Sequence, residues 1–203
     1  ILDSDFHGNA GDAGGLAIQV AIDGLLDVDR TSFRDHFGFD SDGLPLPAIQ
    51  AEPGSEVFLS ASTLSGNQQA LIADRPDIVF LRHLTIFDQV DGGVLMELGA
   101  SSQVLFDNSI VAAADTVAFD CMIKEVEEPT FLSIDAILDS DGSCVSLASS
   151  IGLTGDPRLL PISRADGRIS HVHFPSAAAD APSPAIDVIA TGDCTPLDQY
   201  DRP

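Results

Sequence analysis

Three cysteines, several Asp-rich segments and two closely spaced histidines are the residues of this chain with chemistry to offer. Cys121, Cys144 and Cys194 make an odd number, so in an oxidising compartment one thiol stays free or joins another chain. Cys121 with Cys144 closes a loop of about one repeat unit, worth roughly 3 kcal/mol of loop entropy. Cys144 with Cys194 would instead staple the tail to the last unit. The segments DSD at 3–5 and DSDG at 40–43 and 139–142 place carboxylates at alternate positions, as calcium loops begin. Asp40, Asp42, Asp139 and Asp141 are the calcium candidates, but neither DSDG copy supplies the bidentate acid of an EF-hand loop. The bland alternative is a solvated acidic turn. His171 and His173 would share one face of a strand, where two imidazoles make a poor metal site. No Cys–His spacing resembles a zinc centre.

Catalytic sets are harder to assemble. Removing the proton beside a uronate carboxylate needs a base and neutralising cations, yet the basic residues are scattered and Lys124, the sole Lys, sits in IKEVEE. A hydrolase would use facing acids. Asp88 with Asp91, or Asp107 with an acid one coil away, could be drawn so, but among 32 acids such pairs arise by chance. With no Trp and one Tyr, at position 200, the stacking surfaces that hold sugars are nearly missing.

Charge narrows the partners. Nine basic against 32 acidic residues leave a formal net charge of −23 in 203 residues and a pI near 4.1. Such a surface repels nucleic-acid phosphate and anionic lipid. Cations, neutral surfaces or copies of the chain remain. An apolar share of 44% is enough for a core, against disorder. No apolar run reaches the roughly 18 residues of a membrane helix, and no signal peptide is visible. The chain opens at Ile1 instead of Met, as a processed product or a fragment would.

The elements that would position these groups repeat. ILDSDF (1–6), VDRTSF (28–33), LSASTL (59–64), LRHLTI (81–86), LFDNSI (105–110) and LSIDAI (132–137) each open and close on an apolar residue five positions apart. Their openers lie 27, 31, 22, 24 and 27 residues apart. The third inner positions are mostly small and polar, and FHGN at 6–9 matches LSGN at 64–67. Between them lie further strand-like runs at 14–22, 48–52, 69–73, 92–98 and 116–123. Units this short bury a face only by stacking about 4.8 Å apart, like residues over like. The expected fold is therefore all-β: a right-handed parallel β-helix of about six coils over residues 1–154, with a Pro-rich C-terminal cap over 155–203. Gly14-Gly15 and Gly92-Gly93 would turn corners. A leucine-rich solenoid would need a helical stretch and a tighter Leu consensus, and a sandwich has no reason to keep one spacing six times. The longest excursion, 36–55, is Gly- and Pro-rich, the kind of loop that carries function or is merely a tolerated insertion.

In the tail, GDPRLLPI (155–162), HVHFP (171–175), SPAID (183–187) and CTPLDQ (194–199) follow in order. This order resembles the C-terminal region of bacterial surface β-helix proteins with a choice-of-anchor Q domain. The matching residues are Asp156, Pro157, Leu159, Leu160, His171, Pro175, Ser183, Pro184, Ala185, Ile186, Asp187, Cys194, Asp198 and Gln199. LDSDGSC (138–144) also resembles a segment that precedes that tail. An insertion at 177–182 and Tyr200-Asp201 depart from the pattern. The resemblance implies a secreted or surface-displayed β-helix and no reaction. Prolines at 157, 161, 175, 182, 184 and 196 suit a cap, since an open parallel edge recruits other chains and Pro cannot extend a ladder.

These readings converge on a non-catalytic extracellular or cell-surface structural or adhesive module. The alternative is a subunit of an extracellular filament whose first coil, through Ile1, Asp3, Asp5 and Phe6, stacks on the next copy. A polysaccharide-cleaving enzyme ranks third. No cofactor is required, and calcium is the only one suggested.

Overall fold

A computed structural model describes residues 1–11, 15–112, 119–144, 152–164, 170–174 and 176. Cys194, Gly14 and the SPAID and CTPLDQ segments lie outside the described residues. Among those described there is no helix. Parallel strands stack as a β-solenoid of about five turns.

Each turn runs along three walls. The first holds Leu25–Asp29, Glu56–Ser60, Ile78–Arg82 and the leading halves of Gln103–Ala112 and Phe131–Asp139. The second holds Asp5–His7, Ser32–Arg34, Thr63–Ser65, Thr85–Phe87, the trailing halves of those two long strands, and Gly152–Thr154. The third holds Ile18–Val20, Pro47–Ala51, Gln69–Asp74, Gly92–Leu98 and Cys121–Glu125. Every neighbour within a wall is parallel.

Alternation sends one side of each strand inward. Val28, Leu59, Leu81, Phe106 and Ile134 form one buried column, and Phe33, Leu64, Ile86 and Val111 another. The repeat spacing holds, but the register of the last two units needs correcting. Leu81 pairs with Phe106, not Leu105, and Phe106 with Ile134, not Leu132. Alternating apolar residues in LFDNSIV and FLSIDAIL let either frame look apolar. Only stacking on Leu81 selects the one that buries Phe106. In that frame Asp139 lies directly over Val111 and breaks the apolar run of the second column, with Thr154 next over it.

Polar groups at the corners also stack. At the first corner Thr31 Oγ1 and Ser62 Oγ accept the backbone N–H of Ser4 and Thr31, one coil earlier, at 3.4 and 3.1 Å. Ser109 Oγ does the same for Leu84 at 3.0 Å. Each hydroxyl donates in turn to the carbonyl two residues before it. The second corner carries a longer ladder. Asn9 N donates to His36 Nδ1, His36 N to Asn67 Oδ1 and Asn67 N to Gln89 Oε1, at 3.3, 3.1 and 3.2 Å. Asn67 Nδ2 and Gln89 Nε2 then donate to the carbonyls of Phe33 and Leu64. Buried corners thus keep their N–H groups satisfied.

Gly15 serves close approach between coils rather than an unusual φ. A Cβ there would stand 2.5 Å from the backbone nitrogen of Gly38. Gly93 meets the carbonyl oxygen of Asp120 in the same way. In the 36–55 excursion, Phe37–Gly38 pairs with Ala10–Gly11, and Pro47–Ala51 rejoins the third wall.

Candidate functional site

The only group of three or more metal-capable side chains among the described residues is Asp120, Asp139 and Asp141, with carboxylate oxygens within 4.8 Å of one another. Asp120 and Asp139 are 1% and 0% exposed, whereas Asp141 faces solvent. Asp139 reaches its place because the apolar column demands an inward residue there. The chain then turns through Ser140–Cys144, whose backbone N–H groups face Asp120 and Asp139. Gly142 N and Cys144 N donate to Asp139 Oδ1 and Oδ2 at 3.1 and 2.6 Å. Ser140 N and Oγ donate to Asp120 Oδ2 at 2.6 and 2.7 Å. Asp120 N and Ser143 N donate to the two oxygens of Asp141, at 3.1 and 2.8 Å. Three carboxylates presenting only oxygen suit a hard cation such as calcium, not zinc. Without one, the same N–H groups carry the cost of two buried acids.

Beside this turn, Cys121 is bonded to Cys144, with Cα atoms 5.0 Å apart and a sequence separation of 23. The bond joins the last strand of the third wall to the turn above it. Asp139 and Asp141 are therefore brought together, with Asp120 as a third member that sequence reasoning missed. Its neighbour Cys121 was the available clue, since whatever Cys144 meets, the adjacent DSDG meets too. Asp40 and Asp42 are placed elsewhere. Asp40 Oδ1 accepts from Asp42 N and Leu44 N at 2.8 and 2.9 Å, which makes a self-contained turn.

The first-coil residues face their own second coil. Asp3 pairs with Arg30 at 3.2 Å, Asp5 with Arg34 at 2.9 Å, and Phe6 stacks on Phe33 at 5.0 Å between centroids. Ile1 is exposed, and its ammonium donates to Asp27 O. Burial pushes the Asp5 carboxyl up, but hydrogen bonds from Arg34 and Ser32 and the Arg34 charge outweigh it, holding the group below 3.8. Of the acids considered for hydrolysis, Asp107 pairs with Arg82 at 2.9 Å and Asp91 accepts from Gln68 Nε2. His171 and His173 lie against the second wall, on Ser32 and Ser65.

Fold and site together define an acidic parallel β-solenoid with a disulfide and a carboxylate cluster at one turn. Compared with models of known families, with curated proteins and with solved structures, the chain gives no match.

Proposed function

We propose that the chain is a non-catalytic structural or adhesive β-solenoid module that works outside the cell. The bond between Cys121 and Cys144 carries this reading, because such bonds persist in oxidising compartments and are rare in reducing ones. The tail's resemblance to choice-of-anchor Q proteins supports display at a surface. The outer side of the first wall supports a neutral partner. Phe58 and Phe80 stand edge to face at 5.3 Å and Leu105 continues their row, while Ile78 and the 48%-exposed Phe131 flank Gln103 in the next row. The test is adhesion of the oxidised chain, immobilised on beads, to an uncharged matrix. Replacing Phe58 and Phe80 with Ser should lower retention severalfold at a temperature where both proteins are fully folded by circular dichroism. Equal retention would remove the adhesive reading.

Calcium belongs to the same proposal, held by Asp120, Asp139 and Asp141. Added calcium should then raise the melting temperature over chelator, by about 2.7 kcal/mol of stability at a hundredfold excess over Kd. Asp141→Asn should abolish the difference. An unchanged melt in chelator would leave the cluster as a hydrogen-bonded turn.

The second reading, a filament, is favoured by one observation: Asp5–His7 and Ile18–Val20 are the outermost strands of their walls. It requires that deleting residues 1–9 abolish assembly and leave the fold intact.

A further inference from the structure

The outer side of the first wall carries its side chains in three rows that run along the stack. The middle row is Asp27, Phe58, Phe80, Leu105 and Ser133. Its three apolar members are half-buried, with the Phe58 and Phe80 rings edge to face at 5.3 Å. They span two coil steps, about 10 Å. On the corner side lies the row Asp29, Ser60, Arg82, Asp107 and Asp135. On the other side Glu56 and Gln103 alternate with Leu25, Ile78 and Phe131. The middle apolar row is thus one residue wide, with hydrogen-bonding groups along both margins.

We propose that this face holds an uncharged, β-linked glycan chain laid along the stack. Its ring faces pack on Phe58, Phe80 and Leu105, and its hydroxyls bond the margins through Arg82, Asp107 and Gln103. This occupant presupposes the adhesive reading and names the class of surface that the module meets.

The pattern of polarity selects it. A wholly apolar surface laid on the strip would bury Glu56, Gln103 and the Arg82–Asp107 pair without giving them partners, which opposes the gain from covering the rings. A pyranose ring has apolar C–H faces and a rim of hydroxyls. It therefore covers the aromatic row and meets both margins with donors and acceptors. The row is straight, which suits an extended, β-linked backbone. Trp and Tyr are not needed for this, because two of the eleven Phe residues bring ring surface to one face.

The margin groups are suited to hydroxyls. The Arg82 side chain is 48% exposed and, among the described residues, bonds only through Nε, to Asp107 Oδ1 at 2.9 Å. Its terminal amino groups remain as donors. Asp107 stacks directly on Asp135, and like charges opposite one another weaken a sheet. Neutral hydroxyl donors relieve that pair without a counter-charge. Within the three rows Arg82 is the one cation, against Asp27, Asp29, Glu56, Asp107 and Asp135, so a uronate or sulfated chain is repelled. A cationic peptide would also answer these acids. Salt separates the two, since ion pairing weakens with ionic strength and hydroxyl bonding beside stacked rings does not.

NMR titration of the intact oxidised chain with cellohexaose and chitohexaose, both uncharged and β-linked, tests this, with hexagalacturonate and hexalysine as comparators. At least one of the uncharged pair should bind saturably and shift the Phe58 and Phe80 ring signals and Arg82 Nε–H. Its Kd should be the same at about 0.1 M and 1 M sodium chloride. Phe80→Ser should weaken binding about tenfold and Arg82→Met severalfold, at a temperature where each is folded by circular dichroism. Ile72→Ser, on the outer side of the third wall, should leave it unchanged. No shift with either uncharged oligosaccharide, equal binding of hexagalacturonate, or binding of hexalysine alone would overturn the glycan. Should Phe80→Ser unfold, the wild-type ring shifts and Arg82→Met decide. Bead retention tells this failure from that of the adhesive reading. Retention that depends on Phe58 and Phe80 but is competed by neither oligosaccharide removes the glycan and leaves adhesion, whereas retention independent of both rings removes the two together.

Discussion

Asn67 shows how one side chain secures two coils at once. Fully buried, it accepts from His36 N and donates to Phe33 O. Asn67→Ala strands both groups, at about 1–3 kcal/mol each. Denaturant unfolding should therefore lose about 2–5 kcal/mol, far more than Asn9→Ala on the exposed end of the same ladder. His36 makes that ladder pH-sensitive. Its Nε2–H donates to Phe6 O and Nδ1 accepts from Asn9 N, so only the neutral ring fits. Burial holds its pKa below 6.5, against pulls from the Phe6 carbonyl and Asp35. Stability from this residue is complete above 6.5 and declines as pH falls below it. Melts between pH 7.5 and 5 should show the decline, and His36→Asn should flatten it. The paired FHGN and LSGN segments made this corner partly legible in sequence, whereas His36 and Gln89 in the same ladder were not, because unlike side chains perform one hydrogen-bonding role. The left-handed residues of the first corner were hidden for a related reason. Asp3, Arg30, Ala61, His83, Asn108 and Ala136 all have φ between 44° and 53°, and none is Gly.

At the scale of strands, stacking rather than composition decides the outcome. The apolar spacing of five showed the units and the parallel architecture. It could not choose between Leu105 and Phe106, since each frame buries an apolar residue and only contact with the coil beneath separates them. That choice places Asp139 over Val111 in an apolar column, which is why the carboxylate cluster was only half visible. Asp139 and Asp141 stood out in DSDG, but Asp120 joins them through the coil-to-coil step that also sets Cys121 beside Cys144. Replacing both cysteines with Ser should cost about 3 kcal/mol in chemical unfolding. The loss should appear first as exchange in Cys121–Glu125 and the turn above it, with the wall at Thr63–Ser65 unaffected.

For the whole molecule, the charge of −23 opposes the compact state by self-repulsion. Four cations are spent between coils: Arg30 on Asp3, Arg34 on Asp5, Arg82 on Asp107 and Lys124 on Glu97. Asp107 nevertheless stacks directly on Asp135, a like-charge pair that destabilises a sheet. Salt screens such repulsion over about 10 Å at 0.1 M and 3 Å at 1 M. The melting temperature should rise with sodium chloride, and a fall would mean the ion pairs outweigh the repulsion. The disulfide between Cys121 and Cys144 pins the last coils in register, and the proposed work outside the cell rests on it. Peptide mapping of the unreduced chain, with thiols blocked before digestion, tests it most directly. The expected result is a linked peptide joining Cys121 to Cys144. Finding both as free thiols, or either joined to Cys194, would contradict the pinned register and the extracellular function drawn from it.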